Sequence, residues 1–316
     1  MSEPTDTSPP RVTRGAERPT RSLGIGLPYF ASLPPDVYRS RLVDFVEVTP
    51  ETISREQGKK GRAAITLVPD QLERAQKTCA GLPMVVHGVE LSIGSAHGWN
   101  SAYLDMLDTF QSTWSFIWHS EHLGFQTVLD DEGTSVEVGV PLPLPATEEA
   151  MRVVAERCTA IRCRYGVPFL LENPAYYVTG LPADPELRDD AGLMCAITEH
   201  SECYQLLDLH NVYCNAVNHQ LDPRAIIKRM PLDRVVEIHV AGGSWHNGIY
   251  MDAHDGRVPD VVWELLDYTL PRTPNIAGVV FELLEEHALR LGVDGVAAEL
   301  TRASEIWRRW GLSEAA

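Results

Sequence analysis

The chain holds no apolar run approaching the roughly 20 residues that a membrane-spanning helix needs. Its N-terminus also lacks the apolar segment of a secretory signal. A helical membrane anchor is therefore not expected. Cysteine is sparse and unpatterned: Cys79, Cys158, Cys163, Cys195, Cys203 and Cys214 include no CxxC pair. That spacing gives neither a thiolate zinc knuckle nor a disulfide framework, and a reducing cytoplasm is the expected compartment. Positive charge is in deficit, with 27 Lys and Arg against 44 Asp and Glu and a net charge of −17. Nucleic-acid backbones call for clustered Lys and Arg, and anionic membranes repel such a surface, so neither is an expected partner. A basic peptide or protein is not excluded. The glycine-rich dinucleotide fingerprint is missing too: "GIGLPYF" is not GxGxxG, and no ribose-binding acid is obvious downstream.

What is present has the composition of a globular enzyme, 44% hydrophobic and 22% charged. Residues 1–21, "MSEPTDTSPPRVTRGAERPTR", have no periodicity and are expected to be a disordered tail. Residues 22–316 are expected to form one catalytic domain. Eight short apolar runs recur there: 24–29, 44–51, 83–90, 115–122, 167–174, 203–211, 234–242 and 276–284. Segments with helical spacing separate most of them. Buried parallel strands read as near-continuous apolar runs, and their alternation with helices indicates βαβ units. Eight such units predict an α/β fold, a single (β/α)8 TIM-type barrel. An open doubly wound sheet is the competing architecture.

In such a barrel, chemistry sits at the C-terminal ends of the strands. Most histidines of this chain fall late in the runs or just after them. Side chains alternate faces along a strand. Val85, His87 and Val89 share a face; so do Leu170 and Glu172, Val235, Glu237 and His239, and Val280, Glu282 and Leu284. If these faces point inward, His87, Glu172, His239 and Glu282 converge at the mouth. On the fourth run His122, nearer the end than His119, is taken as inward. On the sixth, "LLDLHN", parity does not choose among Asp208, His210 and Asn211.

A lone strand-end histidine is more often structural than ligating. A glutamate in an apolar strand is harder to dismiss, because an unpaired buried charge is costly. Lys and Arg are scarce nearby, apart from Arg234 and Arg257 in sequence. A metal ion would supply the missing charge. Imidazole and carboxylate without thiolate suit iron, manganese or zinc, and this many ligands suggest two or three ions.

Six motifs, in order, now resemble a known family: "VVHGVELSIGS", "WHSEHLGF", "LLENP", "LLDLHNVYCNAVNH", "EIHVAG" and "MDAHDGRVPDVVWELL". They are similar to the multinuclear non-haem iron-dependent oxidative enzymes, one of which forms the oxazolone and thioamide of methanobactin. The resemblance implies a TIM-type barrel, two or three irons as Fe(II)/Fe(III), O2 as co-substrate, and a ribosomal precursor peptide modified mostly at cysteine. It implies His87, His122, Glu172, Asn211, His239, Asp252, His254 and Glu282 as metal ligands, Glu172 bridging. Asp208 and His210 are expected to act in catalysis, with Glu121 a weaker candidate beside the metal. The chain departs from the family at His210, where many members have Asn, and at Gly243, where many have His. Strand two reads "VEVTPET" where an acid–Asn pair is usual, and strand eight "VFELLEE" where many have an acid after IEW. His210 compensates for Gly243 if both approach one ion. A separate leader-binding partner, or direct binding, is expected to recruit the peptide. The Pro-rich segment 130–149 is a candidate cover for the mouth. The competing functions are a xylose-isomerase-like metal barrel acting on sugars or phosphoesters, and a non-catalytic barrel that binds a peptide or partner.

Overall fold

In the computed structural model, residues 21–57, 64–130 and 135–311 are described. The expected tail, apart from Arg21, lies outside them. Eight parallel strands close a barrel: β1 (Gly24–Pro28), β2 (Phe45–Val48), β3 (Met84–Gly88), β4 (His119–His122), β5 (Phe169–Glu172), β6 (Tyr204–Asp208), β7 (Val235–Val240) and β8 (Gly278–Phe281). Around the barrel the order is β1-β8-β7-β6-β5-β4-β3-β2. Each strand lies within one of the eight apolar runs read from the sequence.

Two separate apolar cores hold this wall. The larger fills the space between strands and surrounding helices. The smaller plugs the barrel itself with Phe45, Val85, Trp118, Leu170, Leu206 and Val280 among others, so the interior is packed rather than a pore. Phe45 reaches the axis because β1 and β8 offer glycine opposite it. A Cβ on Gly26 would lie 2.4 Å from the Phe45 ring, and one on Gly278 would lie 2.7 Å from it.

Local signals set the helices. Helix Glu148–Tyr165 begins where Thr147 accepts a hydrogen bond from the Ala150 amide, and carries Glu148 and Glu149 in its first turn. It ends on Gly166 at φ +67, with Arg162 and Arg164 in the last turn. Negative charge at the start and positive at the end suit the helix dipole, and glycine admits the left-handed cap.

Parity holds at the rim but breaks at the foot of β7. Gln205 pairs with Val235 and Leu206 with Glu237, so the register shifts there. Val236 therefore joins the barrel plug while Val235 packs outside, contrary to the simple alternation expected from the sequence. The irregularity resets the alternation, leaving Glu237 and His239 inside. Among the described residues, three hairpins ride on the loops that follow strands: Ser54–Gln57 with Ala64–Leu67, Phe125–Leu129 with Ser135–Leu142, and Ser244–His246 with Ile249–Met251. The sequence reading had none of them. The second contains part of the Pro-rich segment expected as a cover.

Candidate metal centre

Polar groups enter the barrel immediately above the apolar plug. Trp118 Nε1 donates to Glu237 Oε2 at 2.9 Å, tying the plug to the first acid. Next, His239 lies between two carboxylates, its Nε2 3.0 Å from Glu47 Oε2 and its Nδ1 3.0 Å from Glu282 Oε2. Burial disfavours its charge, but Glu47 and Glu282 outweigh burial and raise its pKa well above the ordinary value. Burial raises Glu237 to about 8. Glu282 moves the other way: burial opposes ionisation, and His254 and His239 overcome it.

The second layer joins three strands. His87 is the last residue but one of β3, His122 ends β4 and Glu172 ends β5. Glu172 Oε2 lies 3.4 Å from His87 Nε2 and 3.1 Å from His122 Nε2. The hydrogen-bond network fixes the His87 tautomer. Ser120 Oγ donates to the Val86 carbonyl at 3.2 Å, so towards His87 Nδ1, 3.0 Å away, it must accept. The proton is then on Nδ1, and the Nε2 lone pair faces the Glu172 carboxyl. Neither His87 Nε2 nor Glu172 Oε2 has a hydrogen bond. Burial lowers the pKa of His87 and brings His122 to about 4, so both imidazoles stay neutral, the form that binds metal. Burial, with Glu282 and Asp208, raises Glu172.

Strand β6 ends in a turn that the sequence could not resolve. Asp208 Oδ1 accepts from the Asn211 amide at 2.6 Å and so caps the helix Leu209–His219. That cap places His210 and Asn211 in the first helical turn. The Asn211 carboxamide donates to Glu172 Oε1 and to the Asn173 carbonyl, both at 3.1 Å. Its Oδ1 and Asp208 Oδ2 are left without hydrogen bonds. Burial raises Asp208 to about 7, helped by Asp252 and Glu282.

The mouth is built by the loop after β7. Asp252 Oδ1 lies 2.7 Å from His210 Nδ1 and 2.8 Å from His254 Nε2, and His254 Nδ1 lies 3.4 Å from Glu282 Oε1. His254 takes φ +48, a region that residues with a Cβ seldom adopt unless their surroundings enforce it. Asp252 is held below the usual carboxylate range, because His254 and His210 outweigh its burial.

These groups sort into sets whose ligand atoms lie within 4.8 Å of one another: His87, His122 and Glu172; Glu172, Asp208, His239 and Glu282; His210, Asp252 and His254; and Glu47, Glu237 and His239. Glu172 belongs to two sets, as a bridging carboxylate would. Among the described residues, no Lys or Arg forms an ion pair with Glu172, Asp208, Asp252 or Glu282. Arg257, near them in sequence, is engaged by Glu299 at 2.7 Å. The residues thus fit metal ions: imidazoles and carboxylates converge on common centres, and among the described residues only other members of the cluster, His239 and His254, are held as cations beside the acids.

A family model described as RiPP precursor modification enzyme MbnB/TglH/ChrH matches residues 23–308. The chain belongs to this family. Membership implies an enzyme whose substrate is a precursor peptide. Relatives include a UPF0276 protein of Caulobacter vibrioides, 34% identical over 84% of this chain and 87% of its own length. Another, UPF0276 protein ACIAD0933 of Acinetobacter baylyi, is 33% identical over 77% of this chain and 76% of its own. Among solved structures, a putative xylose isomerase from Rhodospirillum rubrum aligns with TM-score 0.51 at 12% identity, covering 92% of this chain and 99% of the other. A sugar phosphate isomerase/epimerase from Parabacteroides distasonis aligns with TM-score 0.50 at 13% identity, covering 91% and 98%. At such identity these two show the barrel fold alone.

All ten residues singled out as ligands or catalytic groups lie at this rim. Glu121 does not. It sits on the outer face of β4, 2.8 Å from His119 Nε2, because alternation puts it opposite to His122. Two acids at the centre were not assigned from sequence, Glu47 and Glu237. The signal existed: Glu47 shares a face with Phe45, and Glu237 with His239.

Proposed function

We propose that this enzyme uses two or three irons and O2 to oxidise a ribosomal precursor peptide at a cysteine. The observation that carries the metal reading is the approach of Glu172 Oε2 to two imidazole nitrogens, at 3.4 Å and 3.1 Å, with its side chain 2% exposed. A carboxyl and two neutral imidazoles that face one another at that depth, with no hydrogen bond on Glu172 Oε2 or His87 Nε2, form a donor set suited to a cation. The donors are imidazole, carboxylate and carboxamide. Cys214 is buried nearby, and burial pushes its thiol up. That set suits iron and disfavours copper(I).

Iron, as Fe(II)/Fe(III), would couple reduction of O2 to loss of hydrogen from the cysteine thiol and its β-carbon. The chain's own residues do the rest. His87, His122, Glu172, Asn211, His239, Asp252, His254 and Glu282 would hold the metal. The side chains of His122, Asp252, His254 and Glu282 are 13–19% exposed, while those of His87, Glu172, His239 and His210 are at 3% or less. The peptide therefore enters from the side of the first four. Asp208 Oδ1 is committed to the helix cap, and Oδ2 is assigned to holding or moving a proton. Adjacent ligand sets bring reactants together and lower the entropic barrier. The six cysteines are free, which fits a reducing cytoplasm.

The test uses anaerobically purified protein and a short cysteine-containing precursor peptide encoded beside its gene. Iron per chain, O2 uptake and peptide mass are measured, with and without a leader-binding partner. The expected result is iron-dependent O2 uptake with a mass change that a Cys→Ser peptide abolishes. Turnover of a sugar or phosphoester without O2 would favour an isomerase or phosphoesterase instead.

A further inference from the structure

We propose that His210 is a metal ligand at the mouth, together with Asp252 and His254, and that the glycine at 243 is what admits its ring. The inference rests on the metal-centre reading above and adds a specific donor to it. His210 is fully buried, yet it is not packed as an apolar residue. Its Nδ1 is 2.7 Å from Asp252 Oδ1, the same oxygen that lies 2.8 Å from His254 Nε2. The three side chains offer ligand atoms within 4.8 Å of one another. The Tyr250 hydroxyl stands 3.5 Å from Nε2, and Cys214 Sγ 3.8 Å from both ring nitrogens.

Gly243 follows β7 and opens the hairpin Ser244–Met251. A Cβ there would lie 2.8 Å from His210 Cε1 and 2.9 Å from Nε2, and 2.1 Å from the Met251 carbonyl oxygen. Its φ lies outside the left-handed region, so glycine is needed for space rather than for backbone conformation. Positions 210 and 243 therefore compete for one volume. An imidazole delivered from the helix occupies it, and the hairpin closes against that ring. The identity of residue 243 thus sets which element donates to the outer ion.

The assignment is tested on the full chain, stripped with chelator under anaerobic conditions and reloaded with ferrous iron. After desalting, iron per chain is counted and the Mössbauer spectrum recorded; circular dichroism checks folding. His210→Ala and His210→Gln are both expected to lose about one equivalent of iron and its spectral component. The glutamine variant matters because its amide can still donate to Asp252, so a purely structural histidine would be replaced without loss. Gly243→Ala is expected to displace the ring and weaken the same ion at least about tenfold. In the His210→Ala background, Gly243→Ala should cost less further iron than it does in wild type, since the ring is gone and only the clash with the Met251 carbonyl remains. Full iron content in the His210 variants overturns the ligand assignment while leaving the metal centre standing. Independent, additive losses overturn the role given to Gly243. A wild-type chain that takes up no ferrous iron overturns the metal-centre reading itself, and this assignment with it.

Discussion

Replacing Glu172 by Gln should reverse sign between the metal-free and the loaded protein. In the stripped protein the Glu172 pKa is raised well above its ordinary 4.5, first by burial and then by Glu282 and Asp208. An acid with a raised folded pKa binds more protons folded than unfolded. Its contribution to stability is then intact below the unfolded pKa and falls as pH rises towards the folded one. The slope is at most about 1.4 kcal/mol per pH unit. Glutamine does not titrate, and its amide can donate to the nitrogens that Glu172 Oε2 now faces at 3.4 Å and 3.1 Å. The stripped variant should therefore outlast the stripped wild type, by a margin that widens by up to about 2.7 kcal/mol between about pH 5 and about pH 7. Ferrous iron should invert the order. A ligand at a hundredfold excess over its Kd stabilises by about 2.7 kcal/mol, and the variant, lacking the bridging carboxylate, forgoes most of that. Urea unfolding at both pH values, with chelator or with ferrous iron under anaerobic conditions, measures all four cases. A stripped Gln variant less stable than stripped wild type at both pH values would refute the reasoning. So would equal stabilisation of both proteins by iron.

Other perturbations probe the supports of the site. Ser120→Ala removes the acceptor that holds the His87 proton on Nδ1 at 3.0 Å, and should weaken iron binding about 10- to 100-fold in a competitive chelator titration while leaving the circular dichroism unchanged. Trp118→Phe strips Glu237 of its 2.9 Å donor and should lower stability by about 1–3 kcal/mol in urea unfolding, with no change in iron count. Gly26→Ala drives a methyl group to 2.4 Å from the buried Phe45 ring and should destabilise by about 1–3 kcal/mol. A Gly26→Ala/Phe45→Leu pair should recover part of that loss; no recovery would mean the clash lies elsewhere.

The eight strands were legible because burial on both faces forces each into an apolar run, whatever its place in the barrel. The inward set at the rim was legible because two-residue alternation carries a face label along a strand. That label put His119 and His122 on opposite faces, and His122's place nearer the strand end marked it as the inward one. It fails where geometry is not local. The shift at Gln205 exchanges Val235 for Val236 through pairing with a neighbouring strand, which no feature of β7 alone records. The turn after Asp208 could not be read by parity, since the chain changes period there from two to 3.6. Two of the hairpins carry signals of their own, the apolar "AITL" (64–67) and the alternating "SVEVGV" (135–140), but pair antiparallel outside the barrel.

What the sequence determined by itself was the inventory: the repeating strand and helix units, the surplus of acid, and imidazoles and carboxylates at the ends of strands. Those follow from periodicity and composition, which each segment carries within itself. Tertiary structure alone decided the meetings. It set Glu47 against His239 across 192 positions of chain, brought Glu172 to His87 and His122, and gave His210 the space that Gly243 leaves open. Such encounters depend on barrel closure, in which register and strand order convert distant residues into neighbours a few ångströms apart.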